Sequence, residues 1–178
     1  MSLPGIHRCE LPPDALLRRY SAVGEGDRSQ AYTDCYSTQV ASVVGLREFV
    51  LAFYTTPLFR IERWILALIG RPSSDEQAAE LSQGDLREFA AWTVEDRNGT
   101  QLLMCDFRGL TRSWFMVAEA DSDGAPVTAL YFGSAVVTNR RSGREKPEHG
   151  WLFRFLLGFH KLYSKALLAA ASRRIRNA

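Results

Sequence analysis

The stretch that decides the fold is "RFLLGFHKLYSKALLAAA", residues 154–171. It reads as one long helix, continuing back to Trp151. Leu152, Phe155, Leu156, Phe159, Tyr163, Ala166, Leu167 and Ala170 recur at helical spacing and form an apolar stripe. Phe153, Leu157 and Leu168 widen it, so the helix is expected to touch apolar surface on more than one side. Arg154, His160, Lys161 and Lys165 interrupt the run, which argues against a membrane span. A helix of this kind needs a partner surface, and the preceding sequence offers one.

Upstream, the apolar period changes from helical to two. "LREFAAWTVEDR", "TQLLMCDFRG", "TRSWFMVAEAD" and "PVTALYFGSAVV" read as four strands. Asn98-Gly99, a turn at Gly109, and Asp121-Ser122-Asp123-Gly124 connect them. Links this short join antiparallel neighbours. Earlier still, "AYTDCYSTQV" alternates as a strand. Tyr32, Asp34, Tyr36 and Thr38 take one side, and Thr33, Cys35, Ser37 and Gln39 the other.

Between that strand and the meander lies "SVVGLREFVLAFYTTPLFRIERWILALIG". Val43, Leu46, Phe49, Val50 and Phe53 recur helically, then Leu58, Ile61, Ile65 and Leu68. Thr56-Pro57 divides the segment into two helices, with Thr56 as N-cap and Pro57 at the first helical position. Gly70 ends the second helix. "RPSSDEQAAELSQGD" reads as a polar loop with a short helical turn, and Asp14 as the start of a short helix. The result is a single α+β domain over residues 1–178, an antiparallel sheet covered by a long C-terminal helix.

The 178 residues carry a formal net charge of +2. From Asn139 onward ten Lys and Arg face only Glu145 and Glu148, so this segment is cationic and the remainder net acidic. Such asymmetry points either to an anionic partner or to the helix C-terminus, whose dipole favours cations. The start, "MSLPGIHRCE", has no basic region followed by an apolar run, so no signal peptide is expected. Cys9, Cys35 and Cys105 are dispersed, which indicates neither a zinc ribbon nor a disulfide framework. A cytoplasmic protein is expected. No H-x-x-x-H or H-E-x-x-H pair occurs, so no metal is expected, and no cofactor is implied. "FGSAV" is not a nucleophile elbow. "TNRRSGREK" lacks interleaved aromatics, so no specific nucleic-acid binding is expected.

The chemistry-bearing candidates are few. His160 borders the helix stripe one turn from Leu156, Leu157, Tyr163 and Ser164. It is either an imidazole satisfied by a local partner or a polar point on a pocket wall. Asp106 and Arg108 stand two apart and share one strand face. They are either a pair inside an apolar cavity or a solvent-facing pair of little energetic weight. Tyr36, Asp34 and Ser134 lie on other strands of the same sheet.

The element order resembles the START-like, or SRPBCC, helix-grip fold. Within or near that superfamily, several segments are similar to a bacterial group of unknown function. These are "ELPPDALLRRY", "AYTDCYSTQV", "FYTTPLFRIERWILALIG", "LLMCDFR" and "GSAVVTNRRSGR" leading to "FRFLLGFHKLYSKALL". The likeness runs from about Cys9 to Arg174 and rests on Pro57, Trp64, Asp106, Arg108, Gly143 and His160. It implies a sheet wrapped on the C-terminal helix with a cavity between them. Five strands are clear, and "LPGIHRCEL" is the candidate for a further one.

The resemblance also implies a hydrophobic small molecule, lipid- or polyketide-like, as partner. His160, Tyr163, Asp106, Arg108 and Tyr36 are its candidate contacts. Two other classes stay open. One is an enzyme of cyclase or hydrolase type on the same fold. The other is a peripheral membrane or partner-binding protein using the basic C-terminal segment, without stable membrane insertion.

Overall fold

A computed structural model describes residues 5–21, 31–120, 125–137 and 150–177, without the side chains of residue 31 and of residues 150–162. Among these residues the protein is α+β, with one seven-stranded antiparallel sheet and four α-helices.

The first strand, β1 (His7–Arg8), is the one sought in "LPGIHRCEL". A 3-10 helix follows at Leu16–Tyr20, slightly later than the start read at Asp14. Then come β2 (Ala31–Val40), α1 (Leu46–Tyr54), α2 (Pro57–Leu68) and α3 (Asp75–Gln83). The meander is β3 (Glu88–Phe89), β4 (Trp92–Arg97), β5 (Gln101–Asp106), β6 (Thr111–Ala120) and β7 (Val127–Val137). The C-terminal helix α4 spans Gly150–Arg176. The sheet order is β1-β2-β7-β6-β5-β4-β3. The first long strand therefore pairs with the last, over ten residues from Ala31 opposite Val137 to Val40 opposite Thr128.

Local chemistry accounts for the boundaries. Thr56 Oγ1 accepts from Phe59 N–H at 3.1 Å, and Pro57 opens α2. Gly70 follows α2 at φ 80°. Asn98 Oδ1 accepts from the N–H groups of Thr100 and Gln101, closing the β4–β5 hairpin. The polar stretch read as a loop is instead the nine-residue α3. Ser74 caps Gln77 N–H, and the Gln77 side chain returns to Ser74 N–H. This reciprocal pair satisfies two donors that a polar helix cannot hide by burial. The strand read across residues 86–97 is broken at Ala90, whose φ of 53° is left-handed.

The sheet is buried on both faces. On one face, Phe53 of α1 packs edge-on against Phe115 and at a tilt against Phe132, at 4.8 and 4.7 Å between centroids. Phe49, Val50, Leu167, Leu168 and Ala171 complete this core. On the other face, Ala15 and Leu17 cover Cys35, Leu103, Trp114, Met116 and Ala135. Gln101 ties this second layer down. Its Oε1 accepts from Leu16 N–H and Trp114 Nε1–H, both at 2.9 Å, and its Nε2 donates to the Asp14 carbonyl. A register shift between Val94 and Asp96 lets adjacent acids serve the same layer. Glu95 accepts from Tyr20 and Arg112, and Asp96 from Arg19. Strict alternation would send one of the two to the opposite face.

Two stripes differ from the reading of the sequence. In α4, Ser164, Leu167, Leu168, Ala171 and Ser172 are buried, while Ala166 is exposed. In α2, Phe59 and Arg63 face inward, whereas Ile61, Ile65 and Leu68 face solvent, as does Val43 ahead of α1. Arg63 can be buried because its guanidinium is fully engaged. It donates to Ser73 Oγ, the Ser73 carbonyl and Asp75 Oδ1, which also holds the Asp75 carboxyl below its usual range.

Gly133 is the tightest point of the second layer. A Cβ there would sit 2.9 Å from both the Asp34 carbonyl oxygen and Leu17 Cδ2, and 3.0 Å from Trp114. Gly133→Ala is expected to destabilise the fold by about 1–3 kcal/mol, as overpacking does. Chemical denaturation checks this, and an unchanged midpoint would show that the 3-10 helix packs elsewhere.

Candidate functional site

The face of the sheet beneath α1 and α4 carries an apolar row and, beside it, a polar one. Tyr36, Phe132, Phe115 and Leu102 lie opposite one another across β2, β7, β6 and β5. All four belong to the helix-facing core. Two residues along each strand, and so on the same face, the next row is Asp34, Ser134, Ser113 and Met104. Asp34 is 3% exposed, and Ser134 and Ser113 are also buried.

Asp34 is the most unusual group in this row. Its Oδ1 accepts from Ser134 Oγ at 2.6 Å and Ser134 N–H at 3.2 Å. Its Oδ2 is buried with no hydrogen-bond partner among the described residues. Burying a carboxylate oxygen without a donor is costly. Such an atom on the face toward α4 is suited to accept a hydroxyl or amine from a bound molecule.

The expected site residues fall into three groups. Tyr36 and Tyr163 stand on the α4 side of the sheet. Tyr36 is buried, and the Lys165 ammonium lies 5.3 Å from its ring centroid. Burial, helped by the neighbouring Asp34 charge, pushes the Tyr36 phenol up to about 12. Tyr163 is half-buried and packs against the same core. Its hydroxyl donates to Glu62 of α2, tying the two helices together. Burial, then the Glu62 charge, raises the Tyr163 phenol. Burial likewise raises the Glu62 carboxyl, a rise that the Tyr163 hydrogen bond partly offsets.

Asp106 and Arg108 do not meet inside the fold. Asp106 ends β5, and its Oδ1 accepts from Leu110 N–H at 2.7 Å and Thr111 N–H at 2.9 Å. It is a turn-capping carboxylate. Arg108 lies beyond the strand in that turn, exposed, with its guanidinium 5.7 Å from the Phe107 ring centroid. Strand alternation does not extend across a turn, so the two share no strand face. His160 lies within α4, but its side chain is outside the described residues. Helical spacing puts position 160 in line with Ser164 and Leu167.

Glu62 and Lys165 escaped the reading of the sequence. Glu62 sits between the apolar residues Ile61 and Ile65, which recur at helical spacing and draw attention away from it. The polar row itself was half visible, since strand alternation aligned Asp34 with Tyr36. Its contact with Ser134 needs the β2–β7 register, a hundred residues away in sequence.

Outside this face, exposed apolar side chains gather on α2. Ile61, Trp64, Ile65, Leu68 and Ile69 form one stripe, with Trp64 67% and Leu68 70% exposed. Arg71, just past the helix, stacks on the exposed Phe107 ring at 4.4 Å, so the stripe continues onto the β5–β6 turn. Among the described residues, no cluster of side chains could hold a metal ion, and no helix is long and apolar enough to cross a membrane.

No protein-family model matches the chain, and no curated protein is measurably similar to it.

The Glu62–Tyr163 contact makes a pH prediction. A carboxyl whose pKa is raised on folding stabilises below its unfolded pKa, about 4.3. That contribution is lost as pH rises through the folded value. Glu62→Gln keeps an acceptor for Tyr163 without the ionisation. Thermal melts of the two proteins should coincide at acid pH, with the variant becoming the more stable at neutral pH. A variant less stable at neutral pH than the parent would show that the charged carboxylate is favoured there.

Proposed function

We propose that the protein binds a hydrophobic small molecule, lipid- or polyketide-like, between the sheet and α4, in the manner of a helix-grip fold. The single observation that carries this reading is Asp34 Oδ2, a buried acceptor on the α4 side of the sheet without a donor among the described residues. Around it the surface is chiefly aromatic and aliphatic, with Ser134, Ser113 and Tyr36 as the other polar points. An apolar wall with a few convergent polar groups is the usual makeup of a small-molecule site. Further support is the arrangement of two strands, helices, an antiparallel meander and a C-terminal helix packed on the sheet.

On this reading the ligand is mainly apolar and carries one hydroxyl or amine donor. That donor bonds to Asp34, while the apolar body lies along the aromatic row. His160 occupies an α4 position one turn before Ser164, and its side chain is outside the described residues. Binding, rather than catalysis, is the reading favoured by the chemistry described. Asp34 and Ser134 are hydrogen-bonded to each other, and on this reading the pair orients a ligand.

Asp34→Asn tests the assignment. The amide keeps the size and the Ser134 contact but can present a donor where the carboxylate accepts. Retention of a bound fluorescent fatty alcohol is expected to fall about tenfold, roughly the value of one buried hydrogen bond. The circular dichroism should be unchanged. Undiminished retention would remove Asp34 from the site.

A second reading, of a peripheral membrane protein, draws on the exposed α2 stripe. Arg71 and Arg108 flank it on the Phe107 ring, and neither is in an ion pair among the described residues. Apolar side chains bordered by free guanidinium groups suit an anionic lipid surface. Co-sedimentation with phosphatidylglycerol-rich vesicles at low salt, reversed at high salt and lost in Ile65→Glu, is the expected outcome. Binding equal on neutral vesicles, or unaffected by the substitution, would contradict it.

A further inference from the structure

The face of the sheet away from α4 brings together two cysteines that are 26 residues apart. Cys9 follows β1 and Cys35 lies within β2. The ladder pairs His7 with Ser37 and Arg8 with Tyr36, so Cys9 stands opposite Cys35. The backbone confirms this, as Cys9 N–H donates to the Cys35 carbonyl at 3.0 Å. Residues paired in this way have Cα atoms about 5.5 Å apart, inside the span that a disulfide bridges. The two sulfurs are 3.2 Å apart and both are thiols.

Their surroundings differ in the way a reactive pair requires. Cys9 is half-buried and borders an open cavity of about 550 Å³, whose charged lining is Arg8 and Arg18 with the acidic residues Glu10 and Asp34. Cys35 is buried against Leu103 and Trp114. A hydrogen bond from Cys35, and a smaller one from Ser37, favours the Cys9 thiolate over the opposing effect of burial and lowers its thiol to about 7. The Cys9 contact and burial both raise the Cys35 thiol. Cys105 lies on another strand, and burial raises its thiol too. One thiol is thus accessible and readily ionised, and the other is held within reach of it.

We propose that Cys9 and Cys35 form a peroxide-reactive dithiol site, with Cys9 the attacking thiolate and Cys35 the resolving thiol. The Cys9 sulfur attacks one oxygen of a hydroperoxide. The O–O bond breaks, the other oxygen leaves as an alkoxide and takes a proton from water, and Cys9 becomes a sulfenic acid. The Cys35 sulfur then attacks the Cys9 sulfur. An S–S bond forms, and the hydroxyl leaves with the Cys35 proton as water. Two thiols are oxidised to one disulfide, and one hydroperoxide is reduced to an alcohol and water. A small-molecule thiol returns the pair to its starting state by two exchange steps, itself becoming a disulfide.

The test uses the full chain and hydrogen peroxide as the probe. Limited oxidation followed by alkylation should give a protein lighter by two hydrogens before alkylation, with one cross-linked peptide joining Cys9 to Cys35. Cys105 should remain alkylatable. Reaction of Cys9 should outpace that of Cys105 about tenfold or more at neutral pH, following their thiolate fractions. Its rate should rise with pH to half-maximum near 7. In Cys35→Ser the product should stop at a Cys9 sulfenic acid, trapped by dimedone, and dithiothreitol should restore both thiols in the parent. Oxidation of Cys105 at a rate equal to Cys9, or over-oxidation of Cys9 in the parent without a cross-link, would overturn the proposal. The peptide map of the parent decides between these outcomes even if Cys35→Ser fails to fold.

Discussion

Everything described here depends on the pairing of β2 with β7. Ten residue pairs join the first long strand to the last, which are nearly a hundred residues apart. Closing so long a loop is entropically expensive, and the ladder is held because both of its faces are covered. Phe132 packs under Phe53 on one side, and Ala135 under Leu17's layer on the other. The same register sets Asp34 against Ser134, Tyr36 beneath Lys165, and Cys35 against the layer that carries Cys9. A slip of one residue would exchange the two faces of β2. It would place the carboxylate of Asp34 against Trp114 and the thiol of Cys35 under α4.

Because β2 is buried on both faces, consecutive residues take on unrelated tasks. Asp34 and Tyr36 face α4 and define the candidate ligand site. Cys35, between them, belongs to the opposite layer. Gly133 lets the 3-10 helix approach the sheet, since Leu17 and the Asp34 backbone occupy the space a side chain would need. The Glu62–Tyr163 hydrogen bond links α2 to α4. It thereby connects the helix bearing the exposed apolar stripe to the helix that covers the polar row.

Much of the architecture was legible where local chemistry decides it. Alternation assigned the two faces of β2 correctly, Thr56-Pro57 placed the helix break, and Asn98 and Gly109 placed the hairpin turns. What was not legible depends on contacts distant in the chain. Helix α2 has two candidate faces. Periodicity favours Ile61, Ile65 and Leu68, yet the structure buries Phe59 and Arg63, because Ser73 and Asp75 satisfy the guanidinium. Helix α3 was hidden by its polar composition, although the Ser74–Gln77 capping box was present in the sequence. Asp106 looked like half of an ion pair, but the N–H groups of a tight turn claim it. The Cys9–Cys35 contact follows from β1 pairing, which two short residues of strand barely announce.

On the proposed reading, an apolar molecule with a donor group occupies the space between the sheet and α4, against Asp34. Native mass spectrometry of the gently purified full chain tests it most directly. A non-covalent adduct is expected, which organic denaturation releases as a small apolar compound bearing a hydroxyl or amine and which Asp34→Asn retains poorly. A chain that is ligand-free as isolated and takes up no member of a panel of fatty alcohols, sterols and polycyclic phenols would contradict it.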